Sequence, residues 1–120
     1  MYSEQLLDHF QNPRNVGELT APAITVEISN PACGDILRLS VRIEDGAVRE
    51  ARYKVRGCTA SIAAGSALTE LLLGRTRADV AALDAMAVEN AVGGLAAESK
   101  HAAVLCMDGV KSLLRRWGAG

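Results

Sequence analysis

The hydrophobic pattern of this 120-residue chain changes its period once, close to Gly57-Cys58, and that change limits the folds open to it. Before this point, apolar residues alternate with polar ones in three runs, at positions 24–28, 37–43 and 51–55. A period of two indicates strands with one buried face and one solvated face. Asp45-Gly46, between the second and third runs, is a strong signal for a tight hairpin. The front half therefore predicts a three-stranded antiparallel sheet.

Apolar residues after this point recur at helical spacing. Helices are predicted over residues 60–73, from Thr76, over 84–92 and over 99–117, with a short one over 3–11 before the sheet. Gly74 and Gly93-Gly94 end two of them, and Thr76 with Asp79 resembles a capping box. In the last helix, the residues available for burial are Val104, Leu105, Val110, Leu113, Leu114 and Trp117. Strands followed by helices predict an α+β fold, with the helices packed on one face of the sheet.

The overall composition restricts the class of protein. A chain of 120 residues fits one domain, residues 1–120. The formal net charge is -1, so no overall field attracts nucleic acid or an anionic membrane. No apolar run is long enough to cross a bilayer, and residues 1–10 lack the basic and apolar regions of a signal peptide. The expected location is therefore the cytoplasm, where thiols stay reduced.

Three cysteines, an odd number, argue against a disulfide framework and point to thiolate chemistry. Cys33 lies in a turn between two predicted strands, and the carboxylate of Asp35, two residues later, could share a metal with its thiolate. Cys58 stands where the third strand gives way to a helix, whose positive end favours a thiolate. Two thiolates and a carboxylate at one edge of a sheet suit Zn²⁺ or iron. The alternative is that these cysteines are buried and inert.

Three motifs in these segments resemble those of a known family. They occur in the same order as in that family. The first covers residues 2–4 and 8–17, the second is the Asn-Pro-Ala-Cys-Gly-Asp loop at 30–35, and the third is the Gly-Cys-Thr-Ala-Ser segment that begins at Gly57. They are similar to the N-terminal signature and the two ligand loops of IscU/NifU-type iron–sulfur cluster assembly scaffold proteins. The resemblance covers nearly the whole chain and agrees with the order of strands and helices. It implies an IscU/SufE-like fold.

The resemblance implies a scaffold and carrier rather than an enzyme. Such proteins take sulfur, as persulfide, from a pyridoxal-phosphate cysteine desulfurase. They combine it with iron into a [2Fe–2S] cluster and pass the cluster to acceptor apoproteins, while the cluster-free pocket often holds Zn²⁺. By position, Cys33, Asp35 and Cys58 match the first three pocket residues of the family. A homodimer of the cluster-bound form is a further expectation.

The fourth pocket position departs from the family's pattern. In the family, the cysteine at this position directly follows a histidine, whereas in this chain Ala102 follows His101. Cys106 lies four residues after Ala102, on the same helical face and about 6 Å along the axis, so it could reach the pocket from one turn deeper. It could equally be a small core residue, in which case His101 completes the ligand set. The candidate ligands of a cluster or metal are Cys33, Asp35, Cys58, His101 and Cys106.

Two further departures bear on partners and function. Housekeeping members of the family carry a Leu-Pro-Pro-Val-Lys segment that a dedicated Hsp70 chaperone recognises. The corresponding residues of this chain, 95–100, contain no proline, so we do not expect that chaperone to bind. The mixed ligand set leaves a second function open: a SufU-like zinc-binding sulfur acceptor that activates a cysteine desulfurase and builds no cluster. The chain lacks the insertion of that branch. A thiol oxidoreductase is a poor third candidate, because no Cys-x-x-Cys pair occurs.

Overall fold

The computed structural model describes residues 2–31 and 34–118. Within these ranges the chain forms one three-stranded antiparallel sheet, in the order β1-β2-β3, and five α-helices, which confirms the predicted α+β fold. The strands are β1 (Ile24–Ser29), β2 (Ile36–Glu44) and β3 (Ala47–Arg56). The helices are α1 (Glu4–Gln11), α2 (Thr59–Leu72), α3 (Arg77–Ala81), α4 (Ala85–Ala91) and α5 (His101–Trp117), and a 3-10 helix covers Ala97–Ser99.

The hairpin between β2 and β3 turns at Asp45-Gly46, as predicted. Both residues have a positive φ, 53° and 76°, which is the conformation that a two-residue type I′ turn requires. At the opposite end of the hairpin, Ile36 pairs with Arg56, so the residues that precede β2 and follow β3 emerge side by side. This end of the sheet carries the candidate site.

One face of the sheet forms the core, and the other is charged. Leu37, Leu39 and Val41 of β2 are fully buried. Arg38 and Arg42 lie on the opposite face, where each forms ion pairs with two glutamates. Helices α2 and α5 cover the apolar face, with α2 against β3 and α5 against β1 and β2. The helices thus pack on one face of the sheet, as predicted.

Helix α2 approaches the sheet closely because its inner side carries small residues. Ala63 and Ala64 are fully buried, and a Cβ at Gly65 would lie 2.6 Å from the ring of Tyr53. The Tyr53 hydroxyl donates a hydrogen bond to the carbonyl of Ile62 at 2.8 Å. Burial raises the pKa of Tyr53 to about 12, so the phenol keeps the proton that it donates.

The segment before the sheet is fastened to α2 by a buried histidine and a buried serine. Ser3 caps α1 by accepting a hydrogen bond from the backbone N–H of Leu6 at 2.9 Å. Nδ1 of His9 lies 2.7 Å from Oγ of Ser66, and the backbone N–H of Arg14 donates to the same oxygen at 2.9 Å. Because Ser66 accepts from Arg14, its own proton is available to a neutral His9. Burial, and after it the charge of Arg14, lowers the pKa of His9 and favours that neutral form.

The later helices follow their predicted caps, but the last helix differs from prediction in two details. Thr76 and Asp79 form a complete capping box at α3. Helix α5 begins at His101 rather than at residue 99, because Ala97–Ser99 form the 3-10 helix. Val104, predicted to be available for burial, is 50% exposed because it lies about one turn after His101 on the outer side of α5. Within residues 2–31 and 34–118, no helix has the length and apolar character needed to cross a membrane.

Candidate metal centre

In the part of the chain that the structure describes, three side chains with metal-binding atoms meet at the edge where β2 begins and β3 ends. Asp35 immediately precedes β2, Cys58 is the N-cap of α2, and His101 is the first residue of α5. The first two meet because β2 and β3 pair side by side up to this edge. His101 joins them because α5 packs against α2 and the sheet. A carboxylate oxygen, a sulfur and an imidazole nitrogen therefore all lie within 4.8 Å of one another.

The distances between these three atoms match those between the ligands of one tetrahedral ion. Sγ of Cys58 lies 3.4 Å from Nε2 of His101 and 3.6 Å from Oδ2 of Asp35. Oδ2 of Asp35 lies 3.6 Å from Nε2 of His101. Ligands at the usual Zn–S, Zn–N and Zn–O bond lengths, with tetrahedral angles, are about 3.4–3.6 Å apart. These three distances are therefore compatible with one tetrahedral ion bound by all three side chains.

The three groups differ in their access to solvent. Asp35 is only 6% exposed, whereas the side chain of His101 is 29% exposed and Cys58 is half-buried. The site is therefore closed behind Asp35 and open on the side of Cys58 and His101. Binding of a metal through Nε2 of His101 requires the imidazole proton to be on Nδ1.

The carboxylate of Asp35 lies across the backbone of Gly57. A Cβ at position 57 would stand 2.6 Å from Cγ of Asp35 and 2.8 Å from each carboxylate oxygen, closer than non-bonded atoms approach. The loop before β2 is closed by two backbone hydrogen bonds. The N–H of Asn30 donates to the carbonyl of Asp35 at 2.8 Å, and the N–H of Gly34 donates to the carbonyl of Asn30 at 2.7 Å. The missing side chain at Gly57 thus leaves the space that the carboxylate fills.

A fourth side chain, Ser61, touches the site and was not among the residues predicted to form it. Ser61 is 1% exposed in the first turn of α2, and its hydroxyl donates a hydrogen bond to Oδ2 of Asp35. Its oxygen also lies 3.4 Å from Sγ of Cys58. The Cys58 side chain makes no capping hydrogen bond to α2, and its sulfur faces these groups instead. The signal available in the sequence was the spacing of three residues between Cys58 and Ser61. The side chains of an N-cap residue and of the residue three positions later meet at the start of a helix.

The structure does not bring Cys106 into this group. Cys106 is 1% exposed in the core, and burial raises its pKa to about 12, so it is a protonated thiol. Ala102, one turn earlier on the same side of α5, is also fully buried. His101 and Cys106 are five residues apart, about 140° around the helix, so the two side chains point in different directions. Cys33, the first candidate ligand in the chain, lies outside the described residues.

Known proteins match this chain over most of its length. The family model described as NifU-like N terminal domain matches residues 1–118. The iron-sulfur cluster assembly scaffold protein IscU of Azotobacter vinelandii is 36% identical over 118 residues, which are 95% of this chain and 91% of the relative. The scaffold protein IscU 1 of Archaeoglobus fulgidus is 34% identical over 111 residues, 92% of this chain and 72% of the relative. Both relatives are named as scaffold proteins, not as enzymes.

Solved structures share the fold. A protein from Fervidobacterium islandicum AW-1, described as a candidate iron-sulfur cluster assembly scaffold protein for the SUF system, has a TM-score of 0.72 at 17% identity. The match covers 94% of this chain and 96% of that one. A NifU-like N-terminal protein from Brucella abortus has a TM-score of 0.63 at 23% identity, with 95% and 80% covered. At these identities the likeness shows the fold alone. The family match over residues 1–118, together with relatives more than 30% identical, shows that the chain belongs to the NifU-like N-terminal domain family of IscU/NifU-type proteins.

Proposed function

We propose that this protein is a scaffold on which an iron–sulfur cluster is assembled and from which the cluster passes to acceptor proteins. The observation that carries the proposal is the close grouping of ligand atoms from Asp35, Cys58 and His101 at the edge of the sheet. Thiolate and imidazole ligands suit iron and zinc, and tetrahedral coordination is typical of both zinc sites and iron–sulfur clusters. The names of the relatives from Azotobacter vinelandii and Archaeoglobus fulgidus support the same function.

We propose a [2Fe–2S] cluster as the cargo, with Cys33, Asp35, Cys58 and His101 as its ligands. Cys33 stands two residues before Asp35 in the sequence, in the segment that resembles the first ligand loop of the family. Carboxylate oxygen is a harder ligand than thiolate and holds iron less firmly, so Asp35 keeps the cargo exchangeable. The open side at Cys58 and His101 admits iron and sulfur and allows the assembled cluster to leave.

The proposed partners follow from this cargo. A cysteine desulfurase supplies sulfur at the oxidation level of a persulfide, and an external electron donor must reduce it to the sulfide of the cluster. The acceptors are apoproteins with a more complete set of thiolate ligands. Both are expected to approach the open side of the site, where Cys58 and His101 reach solvent. A cluster with too few thiolate ligands from one chain can be shared by two copies, so we propose that the cluster-bound form dimerises.

A zinc-binding sulfur acceptor that serves a cysteine desulfurase, without building a cluster, is the second candidate. It is favoured by the ligand types, because the described site offers one sulfur, one carboxylate oxygen and one imidazole nitrogen. Ala102 also stands after His101, where the family places a third cysteine. Such a mixed set suits a Zn²⁺ ion with three protein ligands and one exchangeable position. In this function the zinc ion would hold Cys58 in place for the transfer of sulfur.

Anaerobic reconstitution separates the two functions. The purified protein is incubated with ferrous iron, cysteine and a cysteine desulfurase, and cluster formation is followed by visible absorption and Mössbauer spectroscopy. A scaffold should develop the spectrum of a [2Fe–2S] cluster, lose it in Cys58→Ala and retain it in Cys106→Ala, a control that removes a cysteine from the core. A wild-type protein that forms no cluster and holds one tightly bound Zn²⁺ would refute the scaffold and support the zinc-dependent acceptor.

A further inference from the structure

Ser61 touches two of the proposed ligands and has no role in the function described so far. Its buried hydroxyl donates to Oδ2 of Asp35 and lies 3.4 Å from Sγ of Cys58. We propose that Ser61 is a positioning residue that holds Oδ2 of Asp35 between Cys58 and His101, so that an incoming ion meets a carboxylate already in place. The inference rests on the proposed function, since it concerns the same site.

The direction of the Ser61 hydrogen bond sets it apart from other hydroxyls in helices. Serine and threonine inside a helix commonly donate to a backbone carbonyl three or four residues earlier. Thr69 of α2 does so, to the carbonyl of Ser66 at 2.7 Å. Ser61 instead directs its proton to Asp35, which is 26 residues away in the sequence and belongs to the loop before β2. This bond therefore ties the start of α2 to the loop that carries a proposed ligand.

Asp35 can accept this hydrogen bond and still bind a metal. A carboxylate oxygen has two lone pairs, so Oδ2 can accept the proton of Ser61 on one side and face a metal on the other. Cys58 and His101 both stand 3.6 Å from the same oxygen, at the distance of neighbouring ligands. Gly57, under the carboxylate, has no side chain to restrain it. Of these neighbours, Ser61 is the one that donates a hydroxyl hydrogen bond to the carboxylate, and this bond restricts its rotation.

Loss of this restraint should weaken metal binding, because the carboxylate must then be ordered at the moment of binding. Removal of a hydrogen-bond partner of a metal ligand typically lowers metal affinity by about 10- to 100-fold. We expect the same loss in Ser61→Ala. The substitution should preserve the fold, because the neighbours of Ser61 on the buried side of α2 are themselves alanines.

Binding of Zn²⁺ alone to the metal-free protein, by competition with a chelator, tests this expectation. Ser66→Ala is the matched control, since it removes another fully buried hydroxyl from the same helix, one that contacts His9 and Arg14 rather than the site. We expect Ser66→Ala to lower the free energy of unfolding and to leave zinc affinity unchanged. Ser61→Ala should lower zinc affinity and should also change the visible absorption of bound Co²⁺, which reports the geometry of its ligands.

A double-mutant cycle with Asp35→Ala determines whether Ser61 acts through the carboxylate. Once Asp35 is replaced, Ser61→Ala should cause no further loss of zinc affinity, because the group that it positions is gone. An equal loss in both backgrounds would show a general effect on the helix and would overturn the inference. So would a folded Ser61→Ala variant whose zinc affinity lies within about threefold of wild type, well short of the usual effect of such a partner.

These outcomes distinguish failure of the inference from failure of the proposed function. A wild-type protein that binds neither Zn²⁺ nor Co²⁺ contradicts the metal site itself, and both proposals fall with it. A wild-type protein that binds zinc tightly, with a Ser61→Ala variant that binds it equally well, rejects only the role of Ser61.

Discussion

Substitution of Cys106 should separate the contribution of α5 to the core from its contribution to the proposed metal site. The side chain is 1% exposed, so Cys106→Ala deletes one sulfur atom from packed surroundings. Deletion of a methyl-sized group from a core costs about 0.5–1.5 kcal/mol of the free energy of unfolding. In a chain of this length that loss lowers the melting temperature by about 2–6 °C.

Cys106→Ser is closer to cysteine in shape but should be the less stable of the two variants. A hydroxyl buried without a full set of partners costs about 1–3 kcal/mol. Free energies of unfolding, measured by urea denaturation of the metal-free proteins, should therefore decrease from wild type to Cys106→Ala to Cys106→Ser. Zinc affinity should be the same in all three, because Cys106 is buried in the core, outside the group formed by Asp35, Cys58 and His101.

His101→Ala provides the comparison for these variants. Its side chain is partly exposed, so its removal should change stability little, while zinc affinity should fall because an imidazole ligand is lost. The reasoning about Cys106 is refuted if a folded Cys106→Ala protein loses as much zinc affinity as His101→Ala. That result would mean that α5 turns to bring the thiol to the site.

Three other contacts give predictions of their own. Gly57→Ala places a Cβ 2.6 Å from Cγ of Asp35, so it should displace the carboxylate and weaken zinc binding while circular dichroism stays unchanged; wild-type affinity would contradict this. Burial lowers the pKa of His9 below its ordinary value of 6.5, so the folded state binds the proton more weakly than the unfolded state. The contribution of His9 to the free energy of unfolding should therefore be fully present above about pH 6.5, and it should be lost as the pH falls through the lower pKa of the folded state. Denaturation at several pH values between about 8 and 5 measures this loss. His9→Gln should make the free energy of unfolding less dependent on pH. Thr76→Ala removes the cap of α3 and should cost about 0.5–2 kcal/mol in thermal unfolding without affecting zinc binding.

Most elements of the fold could be predicted because they follow local rules. The runs at 24–28 and 37–43 lie within β1 and β2, and Asp45-Gly46 forms the expected turn. Strand β3 begins at Ala47, before the predicted run at 51–55, and its pairing with β2 shifts register between Arg42 and Ile43. A shift of this kind interrupts the alternation of buried and exposed residues, so the start of the strand has no clear period of two.

The site was less predictable, because its members come from segments far apart in the sequence. Asp35 and Cys58 could be placed at one edge from the order of the strands alone. The spacing of Cys106 from Ala102 correctly predicts a shared face of α5, but spacing does not determine whether that face meets the site or the core. The spacing of Ser61 from the N-cap residue Cys58 was the one signal for its position, but it does not predict a bond to Asp35, since a serine in a helix usually bonds to its own backbone.

The convergence of Asp35, Cys58 and His101 also has a consequence for folding. These residues are separated by 23 and 43 positions along the chain, so an ion bound to all three acts as a cross-link between the starts of β2, α2 and α5. An ion that binds only the folded state stabilises it by about 2.7 kcal/mol when its free concentration is a hundredfold above its Kd. Under the proposed function, delivery of the cargo would remove this cross-link, and the unloaded chain would open more readily at this edge. The cargo would then also be a part of what keeps its carrier folded.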